Sequence, residues 1–235
     1  MRGFTRRAVC AAALGAAFLP GAHAADGMRI GIIGAGHVGT TLGRLWAQAG
    51  DHVMLSAKDL SDAQAAASSL GPNASAGTTA QAAAFGDVVV LAVPYGAIPL
   101  LGPALNPAVA GKTVLDATNP YPFRDGAIAG VAGRDGAGIT TQRYFPSAHV
   151  VRAFNSIDMS SVEGQAHRAA PLLAVPVAGD DPASVQTVER LVRDAGFEPV
   201  RAGGLRDAMQ FQPGHIGFEL EDDAVSLRRD LHLNP

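Results

Sequence analysis

The sequence predicts an α/β fold: a doubly wound, mostly parallel sheet with helices on both faces, three layers in all. Three observations predict it. Apolar strand-like runs and amphipathic helical stretches alternate almost to the end of the 235-residue chain, the pattern of βα repetition. Two of the runs, Arg29–Ile33 and Val88–Val93, are continuously apolar or nearly so, as in parallel strands buried on both faces. The first run leads directly into Gly34-Ala35-Gly36-His37-Val38-Gly39 and then an amphipathic stretch, which is the strand–glycine loop–helix order of a Rossmann-type nucleotide-binding unit.

Each glycine of the loop has a separate task in such a unit. Gly34 permits the tight turn, Gly36 lets the backbone approach a pyrophosphate, and Gly39 lets helix and strand pack closely. The helix start beyond them offers free N–H groups and a positive dipole end to phosphates. Val38, Leu42, Leu45, Trp46 and Ala49 fall on one face of that helix, which Gly50 ends. The second strand is His52–Ser56. A site for NAD places Asp or Glu at its end, to bond the ribose 2′-hydroxyl; here Ser56-Ala57-Lys58 stands instead. A hydroxyl and an ammonium attract a 2′-phosphate that a carboxylate would repel. The cofactor expected is therefore NADP. The alternative leaves Ser56 and Lys58 as loop residues, with Asp59 or Asp62 reaching the ribose.

The remaining elements follow in order. A helix is expected over Ser61–Leu70, capped by Ser61, then a weak strand near Ala74–Gly77 and a helix over Thr79–Phe85. Pro94 stops the Val88 strand, Ile98–Leu105 is helical despite Pro99, and Thr113–Asp116 is the fifth strand. The Gly- and Pro-rich segment Asn119–Gly138 is expected to be the longest loop. Thr140–Phe145 is helical, His149–Phe154 a strand, Ser160–Arg168 a helix, and Leu172–Val177 a strand in which Pro176 predicts an edge or a bulge. Asp181-Pro182 starts a helix with Val185, Val188, Leu191 and Val192 on its buried face. Gly196 ends it, and Phe197–Val200 is the last strand. The tail is irregular, with a helix expected near Asp222–Leu231.

Ahead of the fold, Arg2, Arg6 and Arg7, the apolar run Ala8–Leu19, the Pro20-Gly21 break and Ala22-His23-Ala24 have the three parts of a secretory signal. Residues 1–24 are read as a twin-arginine-like signal, 25–214 as the nucleotide-binding domain with its substrate-side loops, and 215–235 as a tail. That reading places the protein in the periplasm, exported by the route that carries folded substrates. If translation starts at Met28, the location expected is the cytoplasm. Cys10, the single cysteine, lies in the signal, which removes disulfides and a thiolate nucleophile from the mature chain. The formal charge is −3 with no basic stripe, so nucleic acid is not an expected partner. No run is long enough to span a bilayer. A homodimer is compatible with the chain.

Ligands of such sheets bind beyond the carboxyl ends of the strands, at the switch point. Val93-Pro94-Tyr95, Thr118-Asn119-Pro120 and Asn155-Ser156 follow the fourth, fifth and sixth strands. Thr118, Asn119, Asn155 and Ser156 thereby point to the nicotinamide, where hydroxyls and amides bond a carboxamide or a carbonyl without adding charge; Tyr95 and Pro120 are placed with the substrate side. The same residues are also ordinary turn formers. His37 sits beside the expected pyrophosphate and His215 could face the pocket from the tail. The histidines lack metal-ligand spacing, and no acid–base residue stands out.

Taken together, Met28–Gly36, Ser56 with Lys58, Leu91–Tyr95, Asp116–Tyr121, Arg152–Asn155 and Ala178–Asp181 make the chain resemble the coenzyme F-420-dependent NADP oxidoreductases. The resemblance runs from about Met28 to Gly214. It implies direct hydride transfer between nicotinamide and a deazaflavin ring, in a site built for positioning. It implies that Gly34, Gly36 and Gly39 cradle the pyrophosphate, Ser56 and Lys58 hold the 2′-phosphate, Val93, Pro94 and Asn119 lie along the nicotinamide, and Asn155 borders the substrate. The export signal and the tail depart from that pattern, so a flavin, a quinone or another small-molecule acceptor is the alternative to deazaflavin. A non-catalytic NADP(H) sensor is a reading of a different class. An imine or 3-hydroxy-acid reductase would need a proton donor near Asn155 or in the tail.

Overall fold

The computed structural model describes Met1 and residues 27–233; beyond Met1 the expected export segment, with Cys10, lies outside the described residues. The strands are β1 (Arg29–Ile33), β2 (His52–Ser56), β3 (Ala74–Ala76), β4 (Val88–Leu91), β5 (Thr113–Asp116), β6 (His149–Arg152), β7 (Ala174–Gly179) and β8 (Glu198–Gly203). They form one sheet in the order β3-β2-β1-β4-β5-β6-β7-β8. β1 pairs in parallel with β2 on one side, Ile30 beside Val53, and with β4 on the other, Ile30 beside Val88. The chain thus winds outward to β3 and returns to the far side of β1, which creates a switch point between β1 and β4. β7 is antiparallel to β6 and parallel to β8, so the last two strands oppose the first six. The Rossmann-type α/β architecture holds, with a mostly parallel sheet.

Alternation along the strands separates two cores. Ile30, Ile32, Val88 and Val90 face α1 (His37–Ala49) and α9 (Pro182–Asp194), whereas Ile33, Val89, Leu91 and Val114 face the layer containing α3 (Thr79–Phe85) and α4 (Ile98–Val109). Trp46 joins α1 to α9. Its Nε1 donates to the Leu191 carbonyl at 2.8 Å, and its ring meets Phe154 edge-on at 6.0 Å. Burial of a ring this size contributes roughly 2–3 kcal/mol. A third cluster, with Ala178, Val200, Phe211 and Leu227, packs the tail helix α10 (Ala224–Asp230) against β7 and β8.

Three sequence expectations change. The segment expected as the longest loop is mostly helical: α5 (Pro122–Asp125), α6 (Ala127–Asp135) and α7 (Ala137–Tyr144). Gly126 and Gly136, at φ +63° and +92°, are breaks between successive helices rather than marks of a loop. The helix expected from Ser61 begins at Leu60, as α2 (Leu60–Ser68), because Asp59 takes the extended capping position and Ser61 is already helical. Pro176 lies in an interior strand. It is tolerated because β6 pairs with β7 only at Ala178 and Gly179, and because the β7–β8 register shifts between Val177 and Ala178. The bulge half of that expectation is met. The antiparallel direction of β7 was not foreseen.

Candidate functional site

The glycine loop sits at the switch point. Gly34, at φ +114°, donates its N–H to the Ser56 carbonyl at 3.0 Å and so ties the end of β1 to the end of β2. A Cβ on Gly39 would lie 1.9 Å from the Gly34 carbonyl oxygen; this position is closed by the protein itself. Gly36 differs. Its φ of −81° suits any residue, and a Cβ there would meet nothing within 4 Å. It opens on free space at the start of α1, where no side chain caps the helix and the first turn holds no acid. The uncapped N–H groups and the dipole make that space suited to an anion.

Two cavities meet at this point, sharing Gly36, Ala92, Val93 and Pro94. The larger, ≈ 670 Å³, extends over Gly34, Ala35, Ser56, Ala57, Lys58, Asp62 and Leu100. The other, ≈ 290 Å³, extends over His37, Val38, Thr118, Asn119, Tyr121, Asn155 and Glu219. Together they form a groove across the carboxyl ends of β1 and β4, with room for the two halves of a dinucleotide. Lys58 supplies the cation at the β2 end. Ser56 is fully buried, and its hydroxyl donates to the Ile32 carbonyl at 3.2 Å. Asp62 lines the same cavity, whereas Asp59 is not among its lining residues.

Below the other half lies a buried ion pair. Arg152 and Asp116 are both completely buried, with Nη1 3.0 Å from Oδ2. Arg152 also donates to the Thr118 carbonyl at 2.7 Å, while Asp116 Oδ1 accepts the Thr118 N–H and hydroxyl at 2.9 and 2.6 Å. The loop after β5 is therefore clamped, and the Thr118 hydroxyl is turned inward. Asn119 Nδ2 donates to the Asn155 carbonyl at 2.6 Å, and Asn155 Nδ2 donates to the Phe211 carbonyl at 2.9 Å. Asn155 Oδ1 is left as a buried acceptor without a partner. These contacts join the ends of β5 and β6 beside the cavity.

Not every expected residue reaches this groove. Tyr95 is fully buried on the other core, with its hydroxyl donating to the Ala137 carbonyl at 2.8 Å. Ser156 is buried, its carbonyl accepts the Glu219 N–H, and it does not line the cavity. Pro120 is likewise buried and absent from the lining. All three occupy the expected strand ends, but their side chains turn into the protein. His37 does line the cavity; its Nε2 lies 3.6 Å from Oε1 of Glu163, on α8 (Met159–Gln165). His215 is exposed and lies outside the lining. Among the described residues no group of acids, histidines or cysteines is arranged to hold a metal.

Sequence reading missed Tyr121, Arg124, Phe218 and Glu219 in the cavity wall. Tyr121 directly follows Asn119-Pro120, and that adjacency was the available signal. Arg124 grips Asp125, whose carboxyl is nearly inaccessible. Burial alone would raise that carboxyl. The bonds from Arg124, the Tyr121 N–H and the Gly96 N–H outweigh it and hold the group below its ordinary value. For Phe218 and Glu219 the sequence holds no local signal, because they reach the cavity only through the docking of the tail.

Residues 29–120 match the profile of the family described as NADP oxidoreductase, coenzyme F420-dependent. That span holds the glycine loop, Ser56, Lys58, Val93, Pro94 and Asn119, and it bears out the resemblance drawn from the sequence. The YjhV protein of Escherichia coli K12 is 51% identical over 61 residues, which cover 26% of this chain and 44% of that protein. A candidate F420-dependent NADP reductase from Arthrobacter sp. FB24 superposes with a TM-score of 0.70 at 26% identity, covering 83% of this chain and 99% of its own. A hypothetical protein from Sinorhizobium meliloti does so with a TM-score of 0.72 at 24% identity, over 84% and 96% of the two chains. The second shares the fold.

Proposed function

We propose that this protein, an NADP-dependent oxidoreductase by its family segment and its fold, moves a hydride between NADP(H) and a flat acceptor of the flavin or deazaflavin type. The observation that carries the reading is Gly36. The protein makes no internal demand for glycine there, yet the residue borders both halves of the groove at the uncapped start of α1. A position kept open toward solvent at that place is what a pyrophosphate requires of the backbone. The residues present fit the dinucleotide. Ala35, Gly36, His37 and Val38 would take the pyrophosphate, Lys58 the 2′-phosphate, and Val93, Pro94 and Asn119 the nicotinamide half; the Ser56 and Thr118 hydroxyls, expected to join them, are engaged inside the protein. The bound nicotinamide supplies hydride. The chain supplies orientation, through the clamped ends of β5 and β6, and proximity of this kind accounts for much of an enzyme's rate.

The test is Gly36→Val, followed by calorimetric titration of NADPH and by thermal melting. Expected is a melting curve displaced by no more than about 1 kcal/mol of stability, with NADPH affinity reduced at least about tenfold, or 1.4 kcal/mol. Undiminished binding would remove the pyrophosphate from this loop. Tight NADPH binding by the unaltered chain without turnover of any flavin or deazaflavin would favour the sensor instead.

A further inference from the structure

Tyr121 and Glu219 are far apart in sequence, yet they line the same cavity at the end of the groove assigned to the acceptor. Each is held there by the backbone. Asp125 Oδ2 accepts the Tyr121 N–H at 2.8 Å, and Oδ1 accepts the Gly96 N–H at 2.9 Å. The Tyr121 ring stacks on Phe123 at 5.6 Å, and the Arg124 guanidinium lies 5.0 Å from its centroid. Glu219 arrives from the tail at φ +59°, its N–H donating to the Ser156 carbonyl at 2.8 Å. A left-handed conformation is costly for a residue that carries a Cβ, and it persists only where the surroundings enforce it. Here the enforced turn delivers a carboxylate to the wall of the cavity.

The balance of effects on the phenol is upward. Burial raises it above its ordinary value and the Glu219 charge adds to that; the Asn119 side chain and Arg124 act in the opposite direction, and Asp125 adds a small upward push. His37 and Asp158 are the other titratable groups of the same cavity. The phenol therefore keeps its proton throughout the neutral range.

From this juxtaposition we infer that Tyr121 is the proton donor to the acceptor, and that the neighbouring Glu219 drives Tyr121 back to its protonated form. The inference rests on the hydride reading above and narrows its substrate class to acceptors that gain a proton on a heteroatom as they gain hydride. A conjugated C=N or C=O group, as in a flavin-like ring or an imine, meets that condition. In the balanced step the dihydronicotinamide is oxidised and its hydride forms a bond to the electrophilic atom of the acceptor, the carbon of an imine or a deazaflavin or the N5 nitrogen of a flavin. The displaced π pair moves to the heteroatom, which takes the hydroxyl proton of Tyr121. The phenolate left beside a carboxylate is destabilised by like charge and regains a proton from water.

The full chain, Tyr121→Phe and Glu219→Gln are compared with NADPH as donor and flavin mononucleotide as acceptor. Tyrosinate formation is followed by near-ultraviolet absorbance without either present. Expected are an unchanged NADPH affinity in both variants and a turnover reduced about 100-fold in Tyr121→Phe. One tyrosinate transition should also move to lower pH in Glu219→Gln and vanish in Tyr121→Phe. Full turnover by Tyr121→Phe with NADPH still bound overturns the donor and leaves the hydride reading standing. Unmoved tyrosinate transitions in Glu219→Gln overturn the pairing. An unaltered chain that binds no NADPH overturns the hydride reading and the donor together.

Discussion

Gly36 and Gly39 belong to one motif and yet answer to different demands. A side chain at Gly39 collides with the Gly34 carbonyl, whereas one at Gly36 meets only open space. Gly39 is required by the fold, whereas Gly36 is free to serve the proposed ligand. Lys58 is the cation proposed to favour the phosphorylated dinucleotide. Lys58→Glu should weaken NADPH binding by about 2–3 kcal/mol, the loss of a charge-assisted bond, and NADH binding far less; equal losses in parallel titrations would separate Lys58 from the phosphate. Asp62, in the same cavity, is the residue to substitute next in that event. The buried Arg152–Asp116 pair calls for a different accounting. Arg152→Met leaves a buried carboxylate without its partner and should cost about 3–5 kcal/mol in denaturant unfolding. Asp116→Leu added to it should restore only part of that, because the Thr118 N–H and hydroxyl lose their acceptor.

At the scale of elements, α5 shows how a short helix is held where propensity alone would not hold it. It has four residues, too few to be stable by themselves. Asp125 fastens it to the turn at Gly96 and to its own cap at Tyr121. The Asp125 carboxyl lies below its ordinary value despite the opposing effect of burial. A group depressed in the folded state contributes stability that is present above the carboxylate range and lost as pH falls through the folded value. Asp125→Asn should therefore be less stable than the parent near neutrality, with the gap constant above about pH 5 and closing below about pH 4. Unfolding midpoints measured across that range check the sign. Because the same carboxylate fixes the Tyr121 backbone, the gap reports on one wall of the smaller cavity as well.

For the whole molecule, strand order sets where chemistry can occur. The groove lies where the winding reverses, between β1 and β4; the tail packs α10 on β7 and β8 and contributes Phe218 and Glu219 to the cavity wall. No helix among the described residues is long and apolar enough to cross a membrane. Export is proposed on the three-part signal of residues 1–24, and the twin-arginine route suits a protein that must fold around its nucleotide before it moves. Protein from the native host should begin at Ala25; sequencing that finds Met28 first would return it to the cytoplasm.

The parts legible in the sequence were those written locally. Periodicity marked most strands and helices, and the glycine loop declared its own turn, because such signals act over a few residues of chain. The Gly126 and Gly136 breaks misled for the same reason: a glycine between helices looks like a glycine in a loop until packing orders what flanks it. Strand ends told which backbone reaches the rim. They did not tell that Tyr95 and Ser156 turn inward while Tyr121 turns out, since side-chain direction depends on the neighbours that fill the space. The sequence by itself determined the class of fold and the glycine loop at its switch point, and it supplied the cation, Lys58, on which the choice of nucleotide is proposed. Only the tertiary structure decided the reversal of β7, the clamp beneath Thr118 and the placing of Tyr121 and Glu219 in the wall of one cavity. Those depend on contacts between segments remote along the chain, which no local pattern of residues encodes.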